Sequence, residues 1–154
     1  MIEPNPLTSV AEFHSTFKHP ILDGPQIPAM ERCKLRIELL AEELKELQEG
    51  IENKNIIEIA DAFCDLQYVL SGAILEFGLS DKFKELFDEV HRSNMSKACK
   101  SIEEAELTVE FYKKQNDCDS YYKQEGTLFL VYRKTDNKVL KSINYSPADL
   151  QGLL

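Results

Sequence analysis

An acid stands where a leucine is expected. Around the string E-E-L-K-E at residues 42–46, Ile37, Leu40, Leu44, Leu47 and Ile51 recur on one narrow arc at about 100° per residue, with Leu39 at its edge. Glu43 breaks that arc, four residues from Leu39 and four from Leu47. A helix that packs this arc inward must carry a carboxylate in with it. Glu46 follows one turn later on the same flank, whereas Glu38 and Glu49 fall on the opposite face.

A second segment repeats the pattern. Ile59, Phe63, Leu66, Leu70, Ala73 and Phe77 form an apolar stripe, and Glu58, Asp61 and Asp65 gather within roughly 60° of arc beside it. Two rows of acids can therefore face each other. Carboxylates crowded into a partly desolvated groove repel, and protonation or a bound cation relieves them. A donor set of oxygens, with no His or Cys, suits hard Mg²⁺ or Mn²⁺. A Glu-Glu-x-x-Glu string alone is ordinarily a solvated helix face. The position of Glu43 and the matched acids on the next helix set this one apart.

Composition narrows the classes. A chain of 154 residues is read as a single domain, residues 1–154. The formal net charge of −9 argues against non-specific nucleic-acid binding, and an anionic substrate would need a metal and local Lys or Arg. No run approaches the roughly 18 apolar residues of a membrane span. Glu3 and two nearby prolines do not make a signal peptide. Cys33, Cys64, Cys99 and Cys118 lack a C-x-x-C spacing and are read as reduced cytosolic thiols, a disulfide pair being the alternative, so the expected location is cytoplasmic.

In chain order, Ser9 and Glu12 resemble a capping box ahead of a short amphipathic helix over residues 10–18. Prolines and Asp23-Gly24 mark residues 19–28 as a loop; His14 and His19 at its entrance are assigned no role. Long helices are expected over 29–50 and 56–77, the second stopped by Gly78. Arg36 lies on the inner flank of the first, open to an ion pair or to substrate. Gly72 lies on the acid-bearing side of the second, where another helix or a ligand can approach closely. Ser80 is read as the N-cap of a third helix with Phe83, Leu86, Phe87 and Val90 buried. Its end carries Arg92, Asn94 and Lys97, a set of donors suited either to phosphate oxygens or to a helix C-terminus. A further helix over 102–114 precedes two β-branched runs, 127–133 and 139–143, read as a hairpin turned at 135–138, and then a polar tail over 144–154.

Taken together, these residues resemble the all-α nucleotide pyrophosphohydrolase superfamily (MazG-like), and within it the phosphoribosyl-ATP pyrophosphohydrolase-like branch. The resemblance rests on E-E-x-x-E at 42–46, D-A-F-C-D-L-Q-Y-V at 61–69, G-A-I at 72–74, V-H-R-S-N-M-S-K at 90–97, and Lys141 ahead of N-Y-S-P-A-D-L at 144–150. It covers about residues 10–97 and resumes at Lys141, so the stretch at about 102–143 is atypical of the family. It implies a mainly α, MazG-like bundle of four to five helices with an appended C-terminal β-hairpin. It also implies cleavage of a nucleotide between its α and β phosphates by a Mg²⁺-dependent enzyme, Mn²⁺ being a substitute. Glu43 and Glu46 with Glu58, Asp61 and Asp65 would hold one or two ions, and Glu42 and Glu43 would act on the water. Arg36, Arg92, Asn94 and Lys97 would bind phosphate. The superfamily pattern E-x-x-D fits Glu58 and Asp61, whereas alignment on D-L-x-Y selects Asp65 and leaves Ala62 in the glutamate position; both assignments stand. Family members complete their bundles by self-association, so a homodimer or a dimer of dimers is implied.

The expected substrate is a non-standard or deoxy nucleotide, or else the phosphoribosyl-ATP of histidine synthesis, which the extended D-x-x-x-D helix and the hairpin disfavour. A non-catalytic nucleotide- or metal-binding scaffold is the alternative from another class. A carboxylate-bridged di-iron bundle fits poorly, because none of the three histidines has Glu three residues before it.

Overall fold

The computed structural model describes residues 2–154 as five helices and one two-stranded sheet. The helices are α1 (Pro6–Phe17), α2 (Met30–Glu52), α3 (Ile56–Glu76), α4 (Phe83–Met95) and α5 (Ile102–Asn116); the strands are β1 (Ser120–Glu125) and β2 (Leu128–Arg133). The chain divides into two compact units, Met1–Lys84 and Glu85–Leu154.

The first unit is built on the antiparallel pair α2 and α3, with α1 packed on α3. Asn55 caps α3 by accepting from the amides of Ile57 and Glu58. Two glycines let the long helices approach. A Cβ on Gly50 would lie 3.2 Å from Ile59, and one on Gly72 would lie 2.7 Å from the Arg36 guanidinium. These contacts fix the register, so that residue 36 lies opposite 72 and residue 50 opposite 59. Gly78 ends the α3 region with φ +65°, and its missing side chain makes room for the Gly24 carbonyl. The proline-rich loop runs alongside, with the Leu22 and Gln26 amides donating to the carbonyls of Leu75 and Phe77.

Several expectations are corrected here. The inward face of α2 is rotated from the sequence arc: Arg36 and Gly50 are buried and Leu39, Leu40, Glu43 and Leu47 half-buried, while Ile37, Leu44 and Ile51 are each more than half exposed. Phe63 and Leu70 on α3 and Phe87 on α4 are likewise exposed. Glu43, half-buried with Leu39 and Leu47, sits within the packed face. The first helix begins at Pro6, a favoured residue for an opening turn, so Ser9 lies inside it and forms no capping box. Ser80 does not cap α4, since a turn intervenes before the helix opens at Phe83. His14, assigned no role from the sequence, is buried.

In the second unit, Cys99, Ala105, Phe129, Val131 and Leu140 form the core, with Val109, Tyr112, Cys118 and Tyr122 around it. Ser101 caps α5 by accepting from the Glu104 amide, and Glu104 accepts in return from the Lys100 amide. The hairpin partner of β2 is the segment before it, not 139–143. Gly126, with φ +60°, opens a two-residue turn that pairs Ser120 through Glu125 with Arg133 through Leu128. Residue 139 makes only an isolated bridge to Tyr132. The tail is clasped by α4: Arg92 donates to the carbonyls of Ser146 and Pro147, Glu89 accepts from the Asp149 amide, and Ser93 bonds Tyr145.

Candidate active site

The antiparallel register of α2 and α3 brings the two rows of acids together. Continuing the pairing of residue 36 with 72 and of 50 with 59 places Glu43 opposite Asp65. Burial raises the Glu43 carboxyl above its usual range, and the charges of Asp65, Glu46, Glu42 and Asp61 raise it further. Glu58 stands nearer the far end of the groove, where its Cβ would be 3.3 Å from a Cβ on Gly50.

None of Glu42, Glu43, Glu46, Glu58, Asp61 and Asp65 forms an ion pair or accepts a side-chain hydrogen bond among the described residues. Lys45, inside the same string, instead reaches Glu49 on the outer face at 3.2 Å. Four carboxylates thus act on Glu43, and none of these acids is paired with a cation among the described residues. Their oxygens are of the type that hard divalent ions take. No three Asp, Glu, His or Cys side chains among the described residues converge closely enough to hold a metal ion as placed. The donor chemistry fits a divalent cation, and closing on one would require rotamer changes in long, exposed glutamates, which are inexpensive.

Arg36 is committed elsewhere. Its guanidinium is buried, donating through Nη2 to Glu76 and to His14 Nε2, the latter at 3.2 Å. Arg32 donates to the other Glu76 oxygen through Nε at 3.0 Å and to the first through Nη2. Glu76 has no exposed surface. Burial would raise its carboxyl, but the hydrogen bonds from Arg32 and Arg36 outweigh that and hold it below the usual range. His14 donates from Nδ1 to the Pro20 carbonyl at 2.8 Å, which leaves Nε2 as the acceptor for Arg36. Burial lowers its pKa, and Arg36 lowers it further against the Pro20 bond, so the ring is neutral.

Arg32, Glu76 and His14 went unrecognised in the sequence. Glu76 carries the signal that exposed Glu43, an acid inside the apolar run A-I-L-E-F-G, and the same reading could have found it.

Arg92, Asn94 and Lys97 belong to the second unit. Arg92 forms a two-pronged pair with Glu89, both bonds at 2.7 Å, and Lys97 donates to Asn94 Oδ1 at 2.8 Å. Among the described residues, no helix is long and apolar enough to cross a membrane. All four cysteines are free thiols.

Comparison with known proteins adds two findings. The family described as phosphoribosyl-ATP pyrophosphohydrolase matches residues 10–94, which include both rows of acids, Arg36, Arg92 and Asn94. An uncharacterized protein, L479 of Acanthamoeba polyphaga mimivirus, is 23% identical over 236 aligned positions that cover 95% of this chain and 94% of the relative.

Proposed function

The chain belongs to the phosphoribosyl-ATP pyrophosphohydrolase family, whose activity is of the nucleotide pyrophosphohydrolase kind, and on that premise we propose a Mg²⁺-dependent enzyme that splits a nucleoside triphosphate, or a nucleotide like phosphoribosyl-ATP, into a monophosphate and pyrophosphate. The observation that carries the proposal is the crowding of acids around Glu43 with no cation paired to them among the described residues.

Glu43 and Glu46 from α2 with Asp61 and Asp65 from α3 would hold Mg²⁺, or Mn²⁺ in its place, and Glu58 would be a further ligand at the far end of the groove. When bound, the ion supplies charge neutralisation at the phosphates and polarises the attacking water. Glu42, next to Glu43 and exposed, accepts the proton of that water. Oxygen from water bonds the α-phosphorus as the bond to the pyrophosphate oxygen breaks, and departing pyrophosphate takes the negative charge. Arg92, Asn94 and Lys97 of the second unit are donors of the kind that bind phosphate oxygens. Those three first have to exchange their present partners for the ligand. Arg36, held by Glu76, positions the groove instead of meeting the phosphates.

Self-association is part of the proposal. Met30, Ile37, Leu44 and Ile51, spaced seven residues apart along α2, leave a stripe more than half exposed, and Ile56 and Phe63 continue an apolar row on α3. A second copy of this chain would cover such a surface, as a homodimer or a dimer of dimers. The setting is cytoplasmic.

The test is pyrophosphate release from a panel of ribo- and deoxynucleotides with Mg²⁺ or Mn²⁺. Glu43→Gln and Asp65→Asn should each reduce kcat at least a hundredfold. Should no nucleotide be cleaved with either ion, the proposal fails.

A further inference from the structure

The helix α1 is lightly held. Of its twelve residues Val10 and His14 are buried, whereas Phe13 and Phe17 are exposed. Among the described residues, His14 alone supplies the side-chain hydrogen bonds that tie α1 to α2 and to the loop behind it. An element with so little buried apolar surface opens before the pair it packs on.

The His14 ring is a junction. Nδ1 donates to the Pro20 carbonyl at 2.8 Å, Nε2 meets Arg36 Nη2 of α2 at 3.2 Å, and a Cβ on Gly72 of α3 would lie 3.0 Å from Nε2. Neither polar partner can change its role, because a carbonyl only accepts and a guanidinium only donates. Only the neutral ring with its proton on Nδ1 satisfies both. An imidazolium would set a second N–H against that of Arg36. The charged and titratable groups around the ring are Arg36 and Arg32 of α2, Glu76 and Tyr68 of α3, and His19 of the loop, whose ring centroid is 5.4 Å away. Glu12 and Lys18 beside it in the chain, and Asp23 in the loop, are exposed. Both Glu76 oxygens are already taken by the two arginines, so a proton on His14 adds a third buried cation against one carboxylate.

We propose that His14 is an acid-released latch: docked, it fastens α1 to α2 and to the loop, and on taking up a proton it lets α1 and the Pro20 turn come away from the α2–α3 pair. Released, α1 withdraws Val10, Phe13 and His14 from one wall of a cavity of about 190 Å³ whose other wall includes Leu39 and Tyr68. The sign follows from the docked ring. Burial lowers its pKa, the Pro20 bond opposes this, and Arg36 lowers it further, while a solvent-exposed ring titrates at 6.5. The hold is therefore complete above 6.5 and weakens as pH falls from 6.5 toward the lowered value, because there the released form binds a proton that the docked form does not. Glu76 keeps its charge through that window, since its own pKa is held below the usual range. The raised carboxyl of Glu43 acts in the opposite sense, favouring the folded form on acidification, so it does not imitate the latch.

Hydrogen exchange of the full chain at pH 5.5 and pH 7.5, read by mass spectrometry and corrected for intrinsic rates, tests the latch. Protection of α1 should be about tenfold lower at the acid pH, while α5 keeps its own. His14→Gln has no proton to take up and should give α1 the same protection at both pH values, whereas His19→Gln should open as the wild type does. By NMR, the wild-type His14 ring should titrate below 6.5, and the opening of α1 should follow that signal and not the one from His19. Equal protection of α1 at the two pH values, opening that persists in His14→Gln, or an equal loss of protection in α5 overturns the proposal. The wild-type exchange and ring titration decide it even if neither variant folds. Hydrolysis plays no part in these measurements, so the latch and the hydrolase reading stand or fall separately.

Discussion

Arg36 and Gly72 face each other across the two long helices so closely that a single methyl on residue 72 would lie 2.7 Å from the Arg36 Nη1 and 3.0 Å from His14 Nε2. The guanidinium occupies the space a side chain would have filled, and the pairing with Glu76 depends on it. Gly72→Ala gains helix propensity worth up to about 1 kcal/mol but must displace a buried charge from its partner. We expect a net loss of about 1 to 3 kcal/mol. In thermal unfolding this reads as about 2 to 4 °C in Tm per kcal/mol.

Glu76→Gln removes the charge that compensates two arginines. With Glu76 fully buried, the loss should be about 3 to 5 kcal/mol, far above that of an exposed pair such as Lys45–Glu49. The pH dependence has a definite sign. Because the folded carboxyl is held below its usual range, its stabilisation is present above the ordinary carboxylate pKa and is lost as pH falls through the lowered value. Chemical denaturation at pH 7 and at pH 4 should show wild-type stability falling on acidification, with a smaller fall in Glu76→Gln.

Glu43 behaves in the opposite sense. Its folded carboxyl lies above the unfolded value of 4.5, so between the two the native state binds more protons and stability falls as pH rises through that window. In metal-free buffer at pH 7, Glu43→Gln should therefore raise Tm. Magnesium or manganese should raise the wild-type Tm and leave the variant nearly unmoved. A scan of Tm against ion concentration for both proteins checks each half.

One carboxylate ties Asp149 of the tail to α4. Glu89 pairs with Arg92 and accepts from the Asp149 amide, and those hydrogen bonds lower its pKa to about 2 from the model-compound value of 4.5. The clasp is intact above the ordinary value and is lost only as pH falls toward 2. Glu89→Gln should speed hydrogen exchange at the Asp149 amide at least tenfold at pH 7, while exchange at the buried Val131 amide stays slow.

The sequence by itself determined the helices, their approximate ends and the two rows of acids, because helical period and local stop signals act over a few residues: Gly78 ends α3 by its own left-handed φ, and Asn55 caps it from one position away. It also marked Gly72 as a place of close approach, without saying what approaches. Only the tertiary structure decided which side of α2 turns inward. An apolar arc of Ile37, Leu44 and Ile51 looks the same whether it meets the chain's own core or is left outside, and here Arg36 and Glu43 take the inner face because Gly72, Glu76 and Asp65 stand opposite them. The choice of hairpin partner was decided in the same way. Residues 120–125 and 139–143 can each extend beside β2, and the positive φ at Gly126 closes the turn on the first. Pairing across a helix groove or a sheet joins residues tens of positions apart, and no local pattern carries that information.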